Sequence, residues 1–417
     1  MDSSIKFRSI SLKSFRSFDD FEINCEKDKS SLYQWTVLLG NNNTGKTSIL
    51  KAIADLRPVR VQFQNNDLRP VRVQFQNKKE EVDFYRMPAS IKNKDNIQEM
   101  TKDFTISSQL TNYSVQRWSY NKNAWSVDVK DKLASFYLFG YGVSRYPSKT
   151  SLSEQSCGDC DTLFSNDQRL VNIEEWLMQL DYAAKNNNTL AAKRLEKVRE
   201  LICGNVFPEI ANFRFESSDS MSNYVLFQTK DGWFRYTQLG YGYQSMLSWV
   251  IDLCKRMFEK YPDSANPLQE SAVVLIDEID LHLHPKWQRD IIAIISNVFK
   301  NVQFIVTTHS PLVIQSMNEV NLYVLRRQGE KLIAEHSPIT NFSGWTVEEI
   351  LRETMRMDDD VYSDIYQNYF KLFDEGLDQG DKEKAEAAYQ VLTEILHPKN
   401  PERRLLKLQL AHLTNND

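Results

Sequence analysis

The chain reads as an α/β protein built around a parallel sheet, and three segments carry that reading. The apolar run Trp35-Thr-Val-Leu-Leu39 leads directly into Gly40-Asn-Asn-Asn-Thr-Gly-Lys-Thr47, after which Ser48-Ile-Leu-Lys-Ala-Ile-Ala54 shows the apolar spacing of a helix. Ser271-Ala-Val-Val-Leu-Ile276 is a second apolar run, ending in Asp277 and Glu278, and Gln303-Phe-Ile-Val-Thr-Thr308 is a third, ending in His309. Continuous apolar runs of this length mark strands covered on both faces, as in a parallel sheet flanked by helices.

From the N-terminus, Ile5 to Phe15 alternates apolar and polar positions, and Phe18, Phe21 and Ile23 continue the pattern, so sheet strands precede the first helix. Residues 40 to 47 fit the spacing G-x-x-x-x-G-K-[ST], which follows a strand and opens a helix when it binds a nucleotide. Such a loop turns successive backbone N–H groups inward at the positive end of a helix dipole, where phosphate oxygens find donors. Gly40, Asn41, Asn42, Asn43, Thr44, Gly45 and Ser48 form this cradle. Lys46 would reach the β- and γ-phosphates of a nucleotide, and Thr47 would place a hydroxyl on Mg²⁺.

Beyond the helix, Asp55-Leu-Arg-Pro-Val-Arg-Val-Gln-Phe-Gln-Asn65 recurs letter for letter at Asp67 to Asn77. Two copies are too few for a solenoid. A recent tandem duplication or a cloning accident accounts for it, with one Val-Arg-Val-Gln-Phe unit expected in the sheet and the other as a hairpin partner or surplus loop. From about 80 to 145, the runs at Phe104, Tyr113 and Trp125 alternate like antiparallel strands and predict a β subdomain. Residues 146 to 168, rich in Ser, Asp, Cys and Gly, read as a mobile loop. Ile173 to Leu180 and Leu190 to Ile202 show helical spacing around Asn186-Asn-Asn188, which predicts a short helical insertion at about 168–205. The domain expectation is therefore a head at 1–345 and a C-terminal helical extension at 346–417, with helices at Val361 to Leu377, at Lys382 to Leu396 and from Asn400-Pro-Glu402. An appended bundle and a partner-docking surface suit that extension equally.

Composition bounds the function classes. The chain has 417 residues, 41% hydrophobic and 26% charged, with no apolar stretch near the roughly 18 residues of a membrane span. Five scattered cysteines and an N-terminus without a secretory pattern predict a reducing, cytoplasmic location and no membrane association. A net charge of -5 argues against a chain whose main task is coating nucleic acid, although it leaves room for a local basic groove. Cys157 and Cys160 have the spacing of half a zinc knuckle, but no second pair completes four ligands.

The second and third strands supply the rest of the chemistry. Asp277 is placed to hold the metal shell, and Glu278 to orient or deprotonate the attacking water. His309, at a strand's C-terminal edge where ligands of parallel sheets bind, is placed to sense a γ-phosphate. His282 and His284 lack a third metal ligand nearby, so the turn Asp280-Leu-His-Leu-His-Pro285 reads as a segment contacting another protomer.

A loop with Lys46, a Leu-Ile-Asp-Glu strand end and Thr-Thr-His-Ser-Pro, in this order, resemble the ABC-type ATPase heads shared by SMC, RecF and OLD-family proteins, over residues 5 to about 335. Gln238-Leu-Gly-Tyr-Gly-Tyr-Gln-Ser-Met-Leu247 stands where that family carries its signature. Gly240 replaces the usual serine, while Gly242, Tyr243 and the following helix N-terminus remain to bind phosphate. The resemblance implies ATP sandwiched in a head-to-tail dimer, at least, with catalytic Lys46, Glu278 and His309 and with Arg16 near the nucleotide; a surface role for Arg16 is as well supported. Gly140 to Arg145 lies where relatives carry a glutamine linking nucleotide to the helical lobe, and Arg145 is the substitute on offer.

The short insertion departs from the long coiled coils of SMC proteins, and the chain after His336 is too short and helical for the Toprim nuclease of OLD proteins. Within the family the chain most resembles the ATPase subunits of Septu-like and retron-associated antiphage systems. The resemblance implies an ATP-hydrolysing sensor or scaffold that restrains a separate nuclease or other effector, of HNH or Toprim type, with nucleic acid reached through the complex. The ATPase of the PARIS system fits almost as well. A RecF-like DNA-repair clamp is the alternative of another class.

Overall fold

The computed structural model describes residues 5–56, 104–110, 115–121, 124–129, 136–148, 158–207, 209–219, 223–329, 331–356 and 362–414. The second repeat copy, most of the first and Cys157 lie outside the described residues. The chain divides into two compact units, Met1–Val347 and Glu348–Asp417.

The first unit is built on a six-stranded sheet in the order β14-β13-β3-β12-β11-β7. Its strands are β3 (Trp35–Gly40), β7 (Leu138–Tyr141), β11 (Ala272–Ile276), β12 (Val302–Thr308), β13 (Asn321–Gln328) and β14 (Lys331–His336). All pairings are parallel except that of β13 with the edge strand β14. Every residue of β3, β11 and β12 is buried, as their unbroken apolar runs require. The α/β class is as predicted.

A second sheet is antiparallel, in the order β2-β1-β4-β5-β6, from β1 (Phe7–Lys13), β2 (Asp20–Asn24), β4 (Phe104–Leu110), β5 (Val115–Asn121) and β6 (Ala124–Val129). The N-terminal alternation and the β subdomain thus belong to one sheet. Helix α1 (Lys46–Asp55) shares a core with both sheets: Phe7, Ile10 and Leu12 of β1, Ile49, Leu50 and Ile53 of α1, and Leu38, Val273 and Ile305 of the parallel sheet. Each such side chain contributes about 1.5–3 kcal/mol on burial, so Ile53→Ala would cost about 2–5 kcal/mol. Buried Gln303 ties the two sheets, its Oε1 accepting from Phe7 N–H and its Nε2 donating to the Phe7 carbonyl, both at 2.9 Å.

The chain continues through the short α2 (Asp161–Phe164) to a helical hairpin of α3 (Ile173–Lys185) and α4 (Thr189–Glu200). Asn172 and Asn188 cap the two helices by accepting from Glu175 and Ala191 N–H, which explains the polar break between them. A three-stranded antiparallel sheet, β10-β9-β8, follows from β8 (Asn212–Ser217), β9 (Asn223–Thr229) and β10 (Gly232–Arg235). This sheet was not anticipated. Its signals were the alternation of Phe213 and Phe215 and the Asp231-Gly232 turn between β9 and β10. Helix α5 (Tyr241–Lys260) then leads into β11; α6 (Pro285–Val298) and α7 (Pro311–Gln315) flank β12.

The second unit contains α8 (Asp364–Gln379), α9 (Lys382–Ile395) and α10 (Glu402–Thr414). Gly380, at φ 67°, ends α8 and Asp381 caps α9 by accepting from Lys384 N–H, a tight reversal that packs Phe373 against Ala385, Ala388 and Leu392. Among the described residues no helix is long and apolar enough to cross a membrane.

Candidate active site

Strand order places the chemistry. β3, β12, β11 and β7 are consecutive and parallel, so the loop 40–47, Thr308-His309, Asp277-Glu278 and Gly142 to Arg145 all emerge at one edge of the sheet. Ligands of parallel sheets bind outside the carboxyl ends of the strands because the loops and helix N-termini converge there.

Gly40 closes β3 where an added Cβ would lie 2.6 Å from the Leu325 carbonyl. Asn41, Asn42 and Asn43 are exposed, with Asn43 left-handed at φ 63°. Thr44 is buried and donates to the Asn41 carbonyl at 2.8 Å. Gly45 caps α1 at φ 82°, a conformation open to glycine, with Phe18 packed within 2.9 Å of where a Cβ would stand. No side chain caps α1, so its first-turn amides remain for an anion.

Lys46 is buried, and its Nζ donates to the carbonyls of Gly40 and Asn41 at 2.7 and 2.9 Å, curling over the loop's mouth. Burial pulls its pKa down to about 8 against the opposing pull of Asp277, Glu278 and Asp280. Thr47 Oγ1 donates to Asp277 Oδ2 at 2.7 Å, joining the loop to β11. Arg16, at φ 54°, reaches the same turn and donates to Ser48 Oγ at 2.7 Å.

β11 ends at Ile276, two residues before Glu278. Asp277 is buried, while Glu278 is half-buried and left-handed at φ 50°. Thr307, which sequence reading missed, donates to Asp277 Oδ1 at 2.7 Å and accepts from Glu278 N–H at 2.7 Å. Its signal was available: strand residues alternate between the two faces of the sheet, so one hydroxyl of Thr307-Thr308 had to share a face with the Asp277 side chain. His309 Nε2 lies 3.8 Å from Glu278 Oε1 and is a buried nitrogen with no hydrogen-bond partner among the described residues. Burial and then Lys46 push the His309 pKa down.

The expectation for Arg145 is corrected. Its side chain is buried and spent on the main chain, donating through Nε to Gly142 O at 2.8 Å and through Nη2 to the carbonyls of Asp277 and Glu278. A side chain held by three carbonyls does not bridge to a helical lobe.

Gly240 caps α5 without a side-chain bond and is exposed. Gly242 packs on the turn after β11, where a Cβ would stand 2.7 Å from the His282 carbonyl. The Tyr243 hydroxyl donates to Glu209, and its ring meets Trp287 edge-on at 4.3 Å. His284 caps α6 by accepting from Lys286 N–H through Nδ1, and among the described residues no group of three His, Cys, Asp or Glu stands together as metal ligands.

The donor set fits a metal-bound nucleotide. Among the described residues, helix-start amides without a side-chain cap, a lysine and an imidazole nitrogen without a partner could meet an anion, and a hydroxyl beside a carboxylate offers the hard oxygens that Mg²⁺ takes together with phosphate. A family profile described as "AAA domain, putative AbiEii toxin, Type IV TA system" matches residues 35–315, from β3 through α7. The chain belongs to this AAA-domain family. This AAA-domain protein carries the P-loop spacing at residues 40–47. It is 34% identical over 205 residues, 48% of the chain and 52% of the relative, to the Septu protein PtuA of Bacillus thuringiensis. To the retron Ec83 probable ATPase of Escherichia coli it is 40% identical over 135 residues, 32% of the chain and 25% of the relative. The chain therefore matches about half or less of the length of these curated relatives. The SMC head domain of Thermotoga maritima is similar at 13% identity and a TM-score of 0.42, covering 80% of this chain and all of that one.

Proposed function

We propose that this chain hydrolyses ATP and is the nucleotide-dependent control subunit of an antiphage defence complex, restraining a separate nuclease or other toxic effector. The observation that carries the catalytic part is the convergence of Lys46, Thr47, Asp277, Glu278 and His309 at one edge of three adjacent parallel strands, with Thr47 and Asp277 already 2.7 Å apart. The defence part rests on similarity to a Septu protein and a retron ATPase.

In this reading the amides of 41 to 47 and the Lys46 ammonium bind the phosphates, with Arg16 and Ser48 flanking them. Thr47 and Asp277 hold Mg²⁺, which when bound neutralises charge on the β- and γ-phosphates. Glu278 takes the proton of the attacking water, and His309 donates toward the γ-phosphate. Gly240, Gly242 and Tyr243, at the uncapped end of α5, close the site of a second copy in a head-to-tail dimer. Closure of two heads on ATP then sets whether the effector is held or released.

The experiment expresses the chain with its genomic neighbours, challenges cells with phage and weighs the purified complex. Protection that needs both Lys46 and a co-purifying second polypeptide supports the proposal. Protection by the chain alone, or by K46A, refutes it, and ATP-dependent, salt-sensitive binding of purified chain to duplex DNA would favour the repair clamp instead.

A further inference from the structure

Glu278 adopts a left-handed backbone, φ 50°, that a non-glycine residue holds only when its surroundings enforce it. Both of its peptide groups are fastened: the N–H donates to Thr307 Oγ1 and the carbonyl accepts from Arg145. Arg145 also binds the carbonyl of Asp277, so one guanidinium spans the two peptide units on which the carboxylates are mounted. Its own seat is firm. Nε is bonded to Gly142 O, the preceding residue Tyr141 accepts from Asp277 N–H at 2.8 Å, and Gly142 packs so closely on Thr162 that a Cβ would overlap its carbonyl.

Burying a guanidinium is costly, which is why burial pulls the Arg145 pKa down to about 10 despite the attraction of Asp277. A purely structural need to satisfy carbonyls at a turn is ordinarily met by water or a cap. Here a planar fork that stays charged fixes the direction of one catalytic turn.

We propose that Arg145 is the positioning residue for Glu278: by clamping the carbonyls of Asp277 and Glu278 from the end of β7, it holds the Glu278 carboxylate in line with the attacking water without touching the nucleotide. This rests on the reading of Glu278 as the group that activates water. A carboxylate released from its aim by about 1 Å loses about 10²-fold in rate while ground-state binding of ATP, made by other residues, is kept.

The test compares R145Q, R145K and E278Q in the full chain by ATP affinity, turnover and thermal unfolding. R145Q is expected to bind ATP within about threefold of the parent and to turn over about 100-fold more slowly. R145K, which keeps the charge but loses the fork, is expected to be about tenfold slow with the same affinity, so it carries the test if R145Q does not fold. In the E278Q background, adding R145Q is expected to cost less than about twofold more, as for two groups acting as a unit. Parental turnover in either Arg145 variant beside an inactive E278Q overturns the inference alone. So does loss of ATP affinity in step with turnover, or an R145Q effect that multiplies fully onto E278Q. Parental turnover in E278Q instead overturns the assignment of Glu278.

Discussion

Thr307 Oγ1 and Asp277 Oδ1 stand 2.7 Å apart across two neighbouring strands, and the same hydroxyl receives the Glu278 N–H. A β12 side chain thereby sets both the rotamer of one carboxylate and the backbone of the next. Thr307→Val keeps the shape but leaves Asp277 with one fewer donor and Glu278 N–H unpaired. The expected cost is about 1–3 kcal/mol of stability, read from denaturant unfolding, with a higher Mg²⁺ requirement for hydrolysis. Parental values of both would show that Thr307 does not orient the pair.

Lys46 and Glu278 divide binding from chemistry. Lys46→Ala is expected to abolish ATP binding in a fluorescent-nucleotide titration. Glu278→Gln is expected to keep binding, slow hydrolysis by about 10²–10⁴-fold and trap the closed assembly, visible as a mass increase with ATP in light scattering. Hydrolysis at the parental rate in Glu278→Gln would contradict the role given to that carboxylate.

The depressed pKa of Lys46, about 8 in the folded chain against an ordinary 10.5, has a signed consequence. Between these values the unfolded chain holds a proton that the folded chain has released, so nucleotide-free stability rises with pH across that window. Phosphate at the loop favours the charged form and reverses the shift. ATP binding at pH 8 to 9 should therefore take up a proton, seen calorimetrically as a heat that depends on buffer ionisation enthalpy, and affinity should fall as pH climbs past 8. A buffer-independent heat would place the lysine away from the phosphates.

Gly242 leaves no room for a methyl group against the His282 carbonyl. Gly242→Ala should push the start of α5 away from the turn at 280–284, and the effect expected is loss of ATP-induced association with ATP affinity in the monomer unchanged. Chromatography with light scattering, with and without ATP, reads it. Undiminished association would remove Gly242 from the dimer contact.

Much of the site was legible because its parts are local. A glycine-bounded loop between an apolar run and a helix, and carboxylates at the end of another apolar run, are written in consecutive residues whose period reports burial. Arg145 was misread because its partners, the carbonyls of Asp277 and Glu278, lie more than 130 residues away and are backbone atoms that leave no mark in sequence. The β8 to β10 sheet was overlooked although alternation and an Asp-Gly turn were present, and Thr307 was overlooked because a strand threonine reads as plain β propensity.

From the linear chain alone came the α/β class, the helical insertion and C-terminal helices, and the residue types of a nucleotide site, since propensity, period and capping act over a few residues. The tertiary structure alone decided that β12 lies between β3 and β11, so that His309 and Thr307 stand between loop and carboxylates, and that a buried arginine fastens the turn bearing Glu278. Strand order and side-chain partners are set by packing between segments far apart in sequence, where no local preference reaches.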